Sequence, residues 1–205
     1  MLMLISLCLL ASTSAQQKNA SVKKDSSKIF HLSSIEMSSG KGAISSGTYI
    51  YFNLTSKKAI FQTTTSQEDI EVSYFYRLFK DKLLIGPNIG YFHNIPFAGP
   101  EAIFAPSKFF STFHWFGWSL GQPEGKIDPK QTMLMFAANS VTLSVKNVSV
   151  TYCLINYMKN LPQHTASLKY TQKINSLFSV YSDTGYDFLN HRQLLKMGII
   201  WKQKN

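Results

Sequence analysis

The stretch that most constrains this chain is "NSVTLSVKNVSVTYC", residues 139–153. Apolar side chains occupy odd positions at Val141, Leu143 and Val145, then even positions at Val148, Val150 and Tyr152. Successive side chains of a β-strand point to opposite faces, so each half reads as a strand with one apolar face. The change of phase at Lys146-Asn147 is what a two-residue hairpin turn requires. Folding there sets Val145 against Val148, Leu143 against Val150 and Val141 against Tyr152, and directly opposed residues share a face. The other face then carries Thr142, Ser144, Ser149 and Thr151, all small and polar.

The same rhythm runs through most of the chain. A second tight hairpin is expected at Asp81-Lys82, with Leu78 opposite Ile85, Tyr76 opposite Pro87, Tyr74 opposite Ile89 and Val72 opposite Tyr91. Period-two runs rich in Tyr, Phe, Val, Ile and Thr predict strands at 29–37, 43–54, 58–66, 69–80, 83–95 and 107–119. Further strands are predicted at 132–145, 148–158, 166–174, 176–182 and 192–201. No apolar period of 3.6 is sustained, so helices are not expected. The longest connections are 96–107, 121–131 and 182–191, each holding Gly, Pro, Asp or Asn.

The beginning of the chain carries a different signal. "MLMLISLCLLASTSAQQ" is an apolar run followed by small residues, which predicts a secretory signal over 1–15 with cleavage before Gln16. The run is too short to span a bilayer as a helix, which needs about 20 apolar residues. Residues 16–28 read as a polar flexible lead, and 29–205 as one β-domain. With Cys8 in the leader, Cys153 has no intramolecular disulfide partner, so the exported domain must draw its stability from elsewhere. The net charge of +10 in an exported chain without nucleic-acid motifs points away from nucleic acid and toward an anionic membrane surface.

An alternating sheet has two homes. A soluble barrel or sandwich turns its apolar face inward, whereas a transmembrane barrel turns it toward lipid and keeps polar residues inside. The aromatic content of 14% favours the membrane, because Tyr and Trp suit a bilayer boundary. Trp115 and Trp118 in "KFFSTFHWFGWSL" are the expected boundary residues. The small polar hairpin face suits a narrow interior better than a charged solvent face. The last strand, "HRQLLKMGIIWKQKN", alternates Leu195, Met197, Ile199 and Trp201 on one face, with Lys196, Gly198 and Lys202 on the other.

That last strand resembles the terminal strand of small Gram-negative outer-membrane β-barrel proteins. Lys196, Gly198 and Trp201 occupy the polar, glycine and apolar places of their assembly signal, while Gln203 departs from its last place. The Ala15-Gln16 junction is similar to those of exported Bacteroidota proteins, and "SVYSDTGYDFLNH" to a penultimate strand and outer loop. The resemblance implies an antiparallel up-and-down transmembrane barrel of about ten strands (eight to twelve), handled by the barrel-assembly machinery. It also implies an outer-membrane location, with a periplasmic or secreted one as the alternative.

Within that reading, Val141, Leu143, Val145, Val148, Val150, Tyr152, Leu195, Met197, Ile199 and Trp201 face lipid. Arg77, Glu71, Thr142, Ser144, Ser149 and Thr151 line the interior, with Glu71 the expected partner of Arg77. Gly86, Gly90, Gly117 and Gly121 are expected to relieve crowding. Lysines at strand ends and loops can reach phospholipid or lipopolysaccharide phosphates. The histidines have no metal-ligand spacing and no nucleophile motif stands in a matching context, so no enzyme, metal or cofactor is expected. The expected function is a narrow pore, a surface-interaction protein or a structural membrane component. The alternative is a soluble lipocalin-like barrel with an apolar ligand inside. One conflict remains within the sequence: three predicted strands separate the two tight turns, which would place them at opposite ends of the barrel.

Overall fold

The computed structural model describes residues 29–41, 46–67, 69–92, 95–119, 134–157 and 162–203. Its first six strands are β1 (His31–Lys41), β2 (Ser46–Thr55), β3 (Ala59–Thr65), β4 (Ile70–Leu78), β5 (Leu83–Phe92) and β6 (Ile95–Ser107). The remaining six are β7 (Phe110–Ser119), β8 (Leu134–Val145), β9 (Val148–Tyr157), β10 (Gln163–Lys173), β11 (Phe178–Asp187) and β12 (Arg192–Lys202). Each strand pairs antiparallel with its sequence neighbours, and β12 pairs with β1 from Ser34↔Lys202 to Lys41↔Leu195. The sheet is therefore a closed up-and-down barrel, which leaves no unpaired edge.

The hairpin at Lys146-Asn147 has the expected register, with Val145 on Val148, Leu143 on Val150 and Val141 on Tyr152. On its other face the hydroxyls of Thr142 and Thr151, and of Ser144 and Ser149, meet at 2.9 Å. The second hairpin differs from its expected form. Its turn spans four residues, Phe79–Lys82, and the strands pair as Leu78↔Leu83, Tyr76↔Ile85 and Val72↔Ile89. A register shift of two residues leaves every side chain on its original face, so the error does not alter which residues share a surface. Phe79, Lys80 and Asp81 all take positive φ (50°, 56° and 68°), a conformation uncommon outside glycine. The Arg77–Asp81 ion pair closes this turn.

The strand count is twelve, not about ten, and the added strand is β6. Its sequence, IPFAGPEAIFAPS, reads as a loop because Pro96, Gly99, Pro100 and Pro106 discourage a central strand. In the barrel the ladder with β5 runs through Pro87↔Pro100 and Tyr91↔Pro96. The ladder with β7 pairs Phe97 and Ala98 and resumes at Glu101, so the break at Pro100 stays local. β6 also removes the conflict between the tight turns. Four strands now separate them, and both lie at the same end. The expected loop at 182–191 is likewise mostly strand, because β11 runs to Asp187. The connection at 121–131 lies outside the described residues.

One end of the barrel carries the turns at 56–58, 79–82, 108–109, 146–147 and 174–177, together with the start of β1 and the end of β12. The other end carries the longest connection, 120–133. The outward face is apolar: Met37, Ile89, Phe116, Leu168, Met197 and Ile199 are all exposed. The inward face holds buried Ser38, Ser73, Asn88, Glu101, Thr165 and Asp187. This is the reverse of a soluble barrel, in which an apolar interior would hold the ligand. It matches a sheet whose outer surface is solvated by hydrocarbon.

Candidate functional site

The candidate site is the interior wall, which has three sectors set by strand register. In the first, β1, β2 and β10–β12 bring Glu36, Tyr49, Tyr51, Lys169, Tyr181, Asp183 and Lys196 together. Lys169, Asp183 and Lys196 are side by side on neighbouring strands. The Tyr181 hydroxyl donates to Glu36 Oε1 at 2.5 Å. Lys169 Nζ lies 4.0 Å from the same carboxylate oxygen and 3.6 Å from the centre of the Tyr181 ring. Lys196 Nζ donates to the Tyr51 hydroxyl at 2.8 Å and sits 4.8 Å from that ring and 5.3 Å from Tyr49. Each ammonium thus rests on an aromatic face, where the ring quadrupole attracts a cation.

The second sector is acidic. Asn88 donates through Nδ2 to Glu71 Oε1 at 2.6 Å and to Ser73 Oγ at 2.7 Å. Glu101, from the strand that the sequence hides as a loop, is 3% exposed and Asn88 only 1%. Glu101 Oε2 and Asn88 Oδ1 have no hydrogen-bond partner. The third sector is apolar and narrows the interior from one side. Trp115 packs edge-on against Phe97 at 5.0 Å and Phe136 at 4.4 Å, with Ala138 and Ile155 completing the cluster. Glycines make room for these rings: a Cβ on Gly117 would lie 2.4 Å from the Phe136 ring, and one on Gly90 2.6 Å from Phe97.

The expected interior residues Thr142, Ser144, Ser149, Thr151, Glu71 and Arg77 all face inward by register. Arg77, however, does not pair with Glu71. Its Nε donates to Asp81 Oδ1 at 2.6 Å and its Nη1 to the Ser56 carbonyl at 2.7 Å, both at the short-turn end. The four-residue turn brings Asp81 back to Arg77, whereas Glu71 lies six residues away along β4. Val141, Leu143, Val145, Val148, Val150, Tyr152, Leu195, Met197 and Ile199 are exposed on the outer face, and Trp201 is half-buried there.

Trp118 is exposed on the outer surface, but Trp115 is turned inward and 5% exposed. Its expected place at a membrane boundary is therefore corrected: in "FHWFGW" both faces of the strand carry aromatics, and parity puts Trp115 with Phe113 and Gly117. Glu36, Lys169, Tyr181, Asp183, Asn88 and Glu101 were not expected as a set. Lys169 and Lys196 had a signal, since each alternates with Leu168 and Tyr170 or Leu195 and Met197. Among the described residues, no group of three or more His, Cys, Asp or Glu side chains could hold a metal ion. Cys153 is a half-buried free thiol on the inner wall beside the aromatic cluster.

A closed antiparallel barrel that is apolar outside and polar inside has the architecture of outer-membrane β-barrels. The particular likenesses are to porins. The NanC porin matches with a TM-score of 0.56 at 10% identity, over 84% of this chain and 100% of its own. The KdgM porin matches with a TM-score of 0.53 at 12% identity, over 85% of this chain and 100% of its own. At these identities the likeness is one of fold. No protein-family model matches this sequence, and no curated protein matches it.

Proposed function

We propose that this chain is an exported outer-membrane protein of a Gram-negative bacterium and forms a narrow, non-enzymatic pore. The observation that carries this reading is the accessibility of the charged wall. Inside a closed barrel, the Lys169 and Glu36 side chains keep 31% and 23% of their exposure. Water therefore reaches charged groups on the interior, while the apolar cluster around Trp115 holds the opposite wall closed. The signal-like segment 1–15 supports export, and its junction supports a Bacteroidota-type source.

Solute preference follows from the wall charge. Glu101 is buried beside Glu71, and the water-accessible middle of the described wall sets Glu36 and Asp183 against Lys169 and Lys196. Such a balanced wall favours small polar solutes with weak discrimination between cations and anions. One structure of the KdgM porin is a complex with oligogalacturonate. The balanced wall here does not support a polyanion of that kind as the solute of this chain.

The test is conductance of the refolded protein in a planar bilayer under a salt gradient. The expected result is small single-channel steps with weak ion selectivity, which Glu36→Lys shifts toward anions. A sealed bilayer with correctly folded protein would replace the pore by a structural or surface role.

A further inference from the structure

The short-turn end of the barrel has a charge pattern that the pore does not use. Every hairpin turn there carries or adjoins lysine. Lys57 and Lys58 lie between β2 and β3, Lys80 and Lys82 between β4 and β5, and Lys108 between β6 and β7. Lys146 follows between β8 and β9, while Lys173 and Lys202, at the ends of β10 and β12, belong to the inward register of the wall. The six turn lysines are all exposed. The acid in these turns, Asp81, is already tied to Arg77. At the opposite end the described charges balance: Lys41 and Arg192 stand against Asp69 and Asp187, and Arg192 is spent on Asp187 at 3.0 Å.

Two further observations separate this ring from ordinary solubilising charge. Lys80 and Lys146 occupy left-handed backbone positions (φ 56° and 54°), which a glycine or asparagine would fill with less strain. Two of these turns also expose large apolar side chains: Phe79 beside Lys80 and Phe109 beside Lys108. Lys108 Nζ lies 5.0 Å from the Phe109 ring centre. A cation next to an outward apolar group, repeated around a rim that adjoins an apolar band, fits a plane of anionic headgroups above hydrocarbon. A compact ligand would need the charges gathered on one side, and they are spread over four of the five turns at this end.

We infer that the lysine collar binds anionic phospholipid headgroups of the leaflet surrounding the short-turn end, anchoring that end and fixing the barrel's orientation. This rests on the outer-membrane reading above. It commits to phospholipid rather than lipopolysaccharide because short turns face the periplasm in bacterial barrels, where the adjoining leaflet is phospholipid.

The experiment compares refolding of the full chain into three kinds of vesicle: phosphatidylcholine alone, phosphatidylcholine with phosphatidylglycerol, and phosphatidylcholine with lipid A. Wild type is set beside a collar variant, with Lys57, Lys58, Lys80 and Lys82→Gln, and a control, Lys41→Gln. The heat-modifiable folded band is followed with time. The expected result is faster insertion with phosphatidylglycerol, by roughly tenfold at low salt and lost at high salt. The advantage should be abolished in the collar variant and kept in the control. Equal rates for wild type and collar variant with phosphatidylglycerol would overturn the proposal. A collar-dependent preference for lipid A instead would overturn the leaflet assignment. Folding into neutral vesicles shows that the membrane reading stands whatever the collar does. Failure to fold in every vesicle would reject that reading itself.

Discussion

Tyr181 on β11 donates its hydroxyl to Glu36 on β1 across the intervening β12, and it can do so because Gly198 lies between them. The register runs Tyr181↔Gly198↔Ser38, and a Cβ on Gly198 would sit 2.6 Å from the Tyr181 ring and 2.7 Å from the Met37 carbonyl oxygen. The glycine lets the ring lie flat on the wall and carry its hydroxyl to the carboxylate, at the seam where the barrel closes.

Gly198→Ala should therefore destabilise the folded barrel by about 1–3 kcal/mol, because the ring or the backbone must move. Tyr181→Phe removes only the hydrogen bond to a charged acceptor and should cost about 1.5–3 kcal/mol. Urea titration of the protein folded in vesicles measures both. If Gly198 truly acts through Tyr181, the two losses should be less than additive in the double variant.

The outer surface makes a depth-dependent prediction. Met197 is near the middle of β12 and exposed, so Met197→Arg should cost about 2–4 kcal/mol of folding stability in a bilayer. Leu143 lies two residues from the Lys146-Asn147 turn, and Leu143→Arg should cost nearer ~0–1 kcal/mol because its guanidinium reaches the headgroups. Equal penalties in the same equilibrium titration would contradict the placement of these residues along the barrel axis.

The tryptophans should separate by quenching. In single-tryptophan variants folded into vesicles of brominated lipid, emission from Trp118 should fall steeply. Trp115, enclosed by Phe97 and Phe136, should be nearly unaffected. Strong quenching of Trp115 would return it to the membrane boundary.

The turn at Phe79–Lys82 should be sensitive to acid. Its hydrogen bonds with Arg77 hold the Asp81 carboxyl below its ordinary range. A carboxylate depressed by folding contributes stability that is fully present above its unfolded pKa. That stability is lost as pH falls through the lower, folded value. Acidification below the usual carboxylate range should therefore loosen this turn, seen as lower protection of the Lys80 and Lys82 amides relative to their intrinsic exchange rates at each pH. Asp81→Asn should show the loosened turn already at neutral pH and lose the acid dependence.

Much of the barrel could be read from local pattern, because a hairpin such as 141–152 writes its register into the phase of a few residues. β6 could not, since its prolines resemble loop residues until β5 and β7 are present to pair with it. At Trp115 alternation carries no sign, because its strand has aromatics on both faces. The charged wall lay beyond local reading for a different reason. Glu36 and Tyr181 are 145 residues apart in the chain and meet only when β12 closes on β1. Arg77 was given the wrong partner through a turn two residues longer than expected, although its face was right.

Site-directed labelling separates a barrel that is apolar outside and wet inside from one with the faces reversed. In a Cys153→Ser background folded into vesicles, single cysteines at Lys169 and Glu36 should react with a small water-soluble maleimide. A cysteine at Met197 should react only with a lipid-soluble one. Water-soluble labelling at Met197 together with protection at Lys169 would mean that the two faces are reversed, and the membrane pore would give way to a soluble barrel.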